Sequence, residues 1–389
     1  MTQKVYLGDI CDIRIGRTPP RKQPQWFSSS HGMKWVSIKD MGNTGKYISQ
    51  TNELLTMDAI SKFNIPIIPA GTLLMSFKLT VGRLGFTKYD MCSNEAIAQL
   101  PIKAPDIVDK NYLYYYLKNF NFDSLSSTSS IATAVNSKTV KNISVNLPPL
   151  DQQKKIANIL GSLDEKIELN RRMNETLEQL GQALFRHYFV DNPEAKSWDD
   201  VKVGELVNIK GGGTPSTKNS SFWGGDIVWS SPRDLANQKC HFLMRTDRTI
   251  TKRGLSKISS GILPAGTLLL SSRAPIGYIA FVGVDMAINQ GYIAFLPKAK
   301  LSNYFMYFWL KNNIQKLKDS ANGSTFLEIS KTAFRNIYIK RPNQLLHDKF
   351  QHEAMIILDK IRDNETEIYN LTRLHDTLLP KLISGEIEI

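Results

Sequence analysis

From Asp151 to about Phe189 the apolar positions keep one helical rhythm. Ile156, Leu160, Leu163, Ile167, Leu177 and Leu184 follow in steps of four and three, with Asn170, Asn174 and Gly181 completing the seam. Those are heptad a and d positions. The stretch has no proline and little β-branching, so it predicts one long helix. A second seam runs through Phe350, Ala354, Ile357, Ile361, Asn364, Ile368, Leu371, His375 and Leu378, each 194 residues after its counterpart. Both seams carry asparagine at the fifth position, Asn170 and Asn364. A lone seam asparagine weakens a coiled coil but fixes its register and partner. The matched seams therefore predict that the two helices pair, with Asn170 opposite Asn364; the spacing leaves the direction of pairing open.

Outside these helices Gly, Pro, Ser and Asn separate short apolar runs such as "GTLLM", "GYIAFL" and "NIYIK". That pattern predicts short strands in an irregular mixed sheet. One aromatic helix stands in each half, "NYLYYYLKNF" and "NYFMYFWLKNN", its rings read as core. The halves repeat. "PAGTLLMSFKLTVGRLGF" (69–86) returns as "PAGTLLLSSRAPIGYIAF" (264–281). "LGDICDIRIGRTPPRK" (7–22), "WVSIKDM" (35–41) and "SKTVKNISV" (137–145) return as "VGELVNIKGGGTPSTK", "WSSPRDL" and "SKTAFRNIYI". The unit is domain-sized, unlike the short periods of solenoids. Texture changes after Pro149 and again after Pro342, which divides the chain into 1–150, 151–190, 191–343 and 344–389.

Composition narrows the class. The 389 residues allow two or three domains, and 42% hydrophobic with 22% charged residues reads as a soluble globular protein. No apolar run approaches the roughly 18–20 residues of a membrane span, and no secretory signal pattern follows Met1. Cys11, Cys92 and Cys240 are scattered, which argues against a disulfide framework or a zinc site and is consistent with a reducing cytoplasm. The net charge of +13 is unevenly placed. Residues 1–150 carry +7 and 191–343 carry +10, whereas 151–190 is neutral and 344–389 carries −4. The blocks are suited to a polyanion and the helices to protein.

Duplicated basic blocks joined by matched helices resemble the DNA-specificity subunits of type I restriction-modification enzymes. The resemblance rests on "LPPLDQQKKIANILGSLDEKIELNRRMNETLEQLGQALFRHYF" (147–189), the ending "LHDTLLPKLISGEI" (374–387), the turns "GRTPPRK" and "GGGTPSTK", and the doubled "PAGTLL". It covers essentially the whole chain. It implies an α+β fold with two mixed α/β target-recognition domains, 1–150 and 191–343, separated by a pair of long antiparallel helices forming a coiled coil. Helix 151–190 would act as spacer and partner-docking element, paired with 344–389. Each domain would read one half of an interrupted site on double-stranded DNA. Two methyltransferase (modification) subunits would dock on this scaffold, joined by restriction/translocase subunits. S-adenosylmethionine, Mg and ATP would belong to those partners and no cofactor to this chain. Divergence between "FKLT" (77–80) and "SRAP" (272–275) is expected of surfaces that read different bases.

The catalytic motifs are absent or false. "NLPPL" (146–150) lacks the acid or amide and the aromatic that hold a flipped adenine, and "GGGTPSTK" lacks P-loop spacing. Asp164-Glu165-Lys166 has the letters of a magnesium-binding nuclease but lies on a helix face, so it reads as solvated charge. Of His31, His187, His241, His347, His352 and His375, only His347 and His352 lie close in sequence, and both read as surface residues. An alternative remains: the recognition part of a related methyltransferase or nuclease system, with catalysis in a partner or in the chain itself.

Phosphate contacts call for Lys, Arg, hydroxyls and backbone N–H groups, and base reading for polar side chains in a groove. The candidates in the first block are Arg17, Thr18, Arg21, Lys22, Lys39, Lys78, Thr80, Arg83 and Lys138. In the second they are Lys210, Thr214, Ser216, Lys218, Arg233, Arg273, Tyr278 and Lys331. Each lies in or beside a repeated landmark.

Overall fold

Four strand runs, Leu73–Ser76, Ile97–Leu100, Leu268–Ser271 and Tyr292–Phe295, are buried at every position. Mostly apolar runs buried on both faces make central strands, and here they pair antiparallel, Leu73 with Leu100 and Leu268 with Phe295. The computed structural model describes all residues except 1, 43–44, 126–135, 239, 274, 320 and 322–326. Ala274, in the divergent "SRAP" stretch, lies outside the described residues. The chain divides into two units, Met1–Glu168 with Tyr369–Ile389, and Leu169–Ile368.

Each unit contains a five-stranded sheet with the same order. In the first it runs Arg14–Ile15, Ile97–Leu100, Leu73–Ser76, Leu84–Thr87, Tyr47–Ile48. In the second it runs Ile209–Lys210, Tyr292–Phe295, Leu268–Ser271, Ile279–Val282, Phe242–Leu243. The last strand of each is parallel to its neighbour and the rest are antiparallel, so both sheets are mixed. A two-stranded ribbon closes each unit, Gln3–Tyr6 with Ser144–Leu147 and Asp200–Lys202 with Tyr338–Lys340. A further sheet has four strands in the first unit and three in the second.

The aromatic helices, Lys110–Lys118 and Asn303–Asn312, are capped by Asp109 and Ser302, whose side chains accept backbone N–H groups. Their rings are core, as the sequence predicts. Tyr112, Tyr115 and Leu117 share a cluster with Ile156, Leu160, Leu379 and Leu382. Phe305, Phe308 and Leu310 share another with Phe185, Phe350, Ile357 and Ile361.

The long helices span Leu150–Phe185 and Gln344–Ser384. All eighteen seam residues are buried or half-buried. One further residue ties each helix start to its aromatic helix. Gln153 Oε1 accepts the Asp109 N–H at 2.9 Å, and His347 Nε2 accepts the Ser302 N–H at 3.2 Å. His347 is therefore not a surface residue. It is 3% exposed and stands where the first helix has glutamine.

The register differs from the expectation. In the second unit Asn364 Nδ2 donates to Asn174 Oδ1 at 2.8 Å, while Asn170 Nδ2 donates to Glu367 at 2.8 Å. As residue numbers rise along one helix they fall along the other, so the segments run antiparallel. In the first unit Asp164 stands 3.7 Å from His375. Asn170 does not bond Asn364, because the pairing is stepped by one seam position. Asp164 is also not a solvated charge, since it accepts the Tyr115 hydroxyl at 2.8 Å and its side chain is only 19% exposed.

Candidate nucleic-acid interface

The repeated Gly-Pro turns are built the same way in both units. Gly16 and Gly212 sit so close to backbone carbonyls that a Cβ would lie 2.1 Å from Ser93 O or 2.0 Å from Ile288 O. Only glycine tolerates that approach. The Trp35 indole donates to Arg17 O and the Trp229 indole to Gly213 O, each at 3.1 Å. Beside them a buried aspartate holds a second loop. Asp40 accepts from Ser37 N and Asn52 N, and Asp234 from Ser231 N and Asp247 N. The base preceding each aspartate, Lys39 or Arg233, is exposed.

The candidate residues separate by what their side chains already do. Lys22, Lys39, Lys138, Lys210, Lys218, Arg233 and Lys331 are exposed, as are Lys78, Thr80 and Ser216. Lys78 lies over the Phe77 ring, and the Ser216 carbonyl accepts from the Trp223 indole. Arg17, also exposed, donates to Phe63 O at 3.1 Å and lines a shallow depression with Thr18, Phe63 and Glu95. Three further arginines are engaged within the fold. Arg21 bonds Glu53 at 2.7 Å and stacks over Phe27 and Trp35. Arg83 donates to Ile38 O at 2.7 Å, and Arg273 pairs with Glu328 at 3.7 Å. Tyr278 is half-buried against an apolar cluster. The doubled "SKT" is out of frame by one residue: Asn136 caps the first short helix, Ser330 the second. Lys138 and Lys331 therefore occupy different helical positions.

Two features escaped the sequence reading. The Thr18 hydroxyl donates to the Glu95 carboxylate, and the Thr214 hydroxyl donates to Gln290 Oε1 at 2.6 Å. The recurrence of "SNEA" (93–96) as "INQG" (288–291) at the repeat offset was the available signal. The second is a polar cluster where the edge strand meets the long helices. His241 Nδ1 lies 2.8 Å from Glu365 and Nε2 lies 3.1 Å from Glu178, which also takes Tyr307 OH at 2.9 Å and Lys311 Nζ at 2.7 Å. Burial pushes the imidazole down, but the hydrogen bonds and charge of the two carboxylates outweigh it and hold the ring up at about 9. A ring protonated at neutral pH is no metal ligand. In the first unit Lys46 takes the equivalent place, its Nζ 3.3 Å from Tyr115 OH, and burial lowers its pKa.

The match to the type I restriction modification DNA specificity domain model covers residues 2–179 and 195–375, one copy per repeat. The chain belongs to that family. It is 25% identical over 410 residues to the type I restriction enzyme MjaIX specificity subunit of Methanocaldococcus jannaschii, covering 98% of this chain and 93% of that one. It is 27% identical over 323 residues to the HindI specificity subunit of Haemophilus influenzae, covering 64% and 70%. The fold is that of the type I restriction-modification S subunit from M. genitalium, with a TM-score of 0.65 at 16% identity over 98% of this chain and 96% of that one. As a family member the chain supplies DNA specificity and is not itself the catalytic subunit. No helix among the described residues is long and apolar enough to cross a membrane.

Proposed function

We propose that this protein is the specificity subunit of a type I restriction-modification complex and reads an interrupted, two-part site on double-stranded DNA. Residues 1–150 and 191–343 are the target-recognition domains, each reading one half-site. The observation that carries this is the same turn-and-tryptophan scaffold built twice, on two blocks of net charge +7 and +10. Exposed lysines and arginines supply phosphate contacts, which give affinity without sequence information.

Segments 151–190 and 344–389, neutral and acidic and built on the two long helices, are the spacer and the docking surface for two methyltransferase subunits and for restriction/translocase subunits. Those partners hold S-adenosylmethionine, Mg and ATP. The complex works in the cytoplasm, where the chromosome is accessible. The test is to exchange residues 191–343 for the same segment of a relative and sequence the methylome. One half of the target should change and the other stay; a swap that altered both halves would refute separate reading.

A further inference from the structure

The two units offer a comparison internal to one chain. The frame around residue 95 recurs around residue 290, element by element. Asn94 N donates to Val36 O at 3.0 Å and Asn289 N to Ser230 O at 2.8 Å. The asparagine side chain then closes each turn, Asn94 Oδ1 accepting Ala96 N at 3.0 Å and Asn289 Oδ1 accepting Gly291 N at 2.7 Å. The residue between is exposed in both units, and a threonine from the Gly-Pro turn donates its hydroxyl to it. Beneath, tryptophan and glycine pin that turn. What differs is the functional group presented: a carboxylate at Glu95, a carboxamide at Gln290.

We infer that Glu95 and Gln290 are base-reading residues, Glu95 accepting from a cytosine amino group and Gln290 pairing with an adenine. This rests on the proposed two-domain reading of DNA. A carboxylate on a basic block is repelled by phosphates, so its favourable partner on DNA is a hydrogen-bond donor on a base edge. In the major groove cytosine presents the N4 amine alone, whereas adenine presents an N6 donor beside the N7 acceptor. Glutamine matches the second pattern with its carbonyl and its NH2, and glutamate matches the first. The threonine hydroxyl occupies one lone pair of each acceptor oxygen and fixes the rotamer. In Gln290 a second lone pair and both amide protons remain for the base.

The experiment uses the full chain co-expressed with its modification partners, comparing methylomes of the parent, E95Q and Q290E. E95Q should change one base position in one half-site, from cytosine toward adenine, and leave the other half intact. Q290E should do the reverse in the other half-site. Discrimination at the affected position should shift by about tenfold or more. Thr18→Val, which keeps the carboxylate but frees it, should weaken binding with no change of preferred base. If a variant methylates nothing, competition binding of the purified chain to duplexes varied one base at a time reads the same preference. A preference identical to the parent's in either assay overturns the inference while leaving the two-domain reading intact. A parent methylome without a two-part motif would instead overturn that reading and this inference with it.

Discussion

Asn364 donates its side-chain amide to Asn174 Oδ1 at 2.8 Å, with both residues at most 5% exposed. The neighbouring Asn170 reaches Glu367, and its own Oδ1 is buried without a partner. The polar centre of the helix pair is therefore a staggered pair of amides. Buried amides that bond each other specify register at some cost in stability.

Replacing Asn174 or Asn364 singly by leucine strands a buried amide and should lower stability by about 1–3 kcal/mol. Replacing both should recover most of that loss or exceed the parent, because apolar seam residues pack well. A double-mutant cycle by denaturant unfolding measures the coupling. Additive losses would mean that the two amides do not depend on each other.

His241 makes the second unit sensitive to pH. Its folded-state pKa of about 9 lies above the ordinary 6.5, so the charged ring stabilises fully below 6.5 and that stabilisation fades as pH rises through 9. The groups facing it are Glu178, Glu365 and Tyr307, with Lys311 held on Glu178. Glu178 is held far below this window by its hydrogen bonds to His241 and Lys311, against the opposing effect of burial. Thermal unfolding of the parent should therefore lose about 1–3 kcal/mol between pH 6.5 and 9 beyond any loss in His241→Gln. Parallel pH profiles would show that the ring is not charged in the fold.

The basic residues should separate into two behaviours. Lys22→Ala, Lys39→Ala, Lys218→Ala and Arg233→Ala should each reduce the slope of log affinity against log salt by about 0.9 where the residue meets a phosphate. Arg83→Ala removes a charge-assisted bond to Ile38 O and should cost about 1–3 kcal/mol of stability while leaving that slope nearly unchanged. Arg21→Ala should follow Arg83, with a smaller stability loss because its ion pair with Glu53 is part-exposed. Gel-shift titrations with thermal unfolding of each variant check this. Equal slope changes in both groups would put the engaged arginines on the phosphate backbone too.

Much of this architecture is periodic, and periodicity is readable along a chain. The two seams, the offset repeats and the division of charge are local or repeated patterns, and a helix or strand forms wherever such a pattern buries one face. Reading the sequence alone therefore yields the long helices, the mixed sheets, the aromatic core helices and two basic blocks suited to a polyanion, while the DNA-specificity role came from the resemblance to a known family. Tertiary structure decided what depends on partners far away in sequence. Seam spacing allows several registers, and packing selected the one that pairs Asn364 with Asn174. Arg21, Arg83 and Lys22 look alike as letters, but Glu53 and Ile38 O, each more than thirty residues distant, engage only the first two. His241 reads as an isolated histidine until the fold brings Glu178 and Glu365 to its two nitrogens. Glu95 and Gln290 likewise gain their placement from threonines more than seventy residues earlier. A polar side chain's role is set by what the fold sets against it, and composition does not record that.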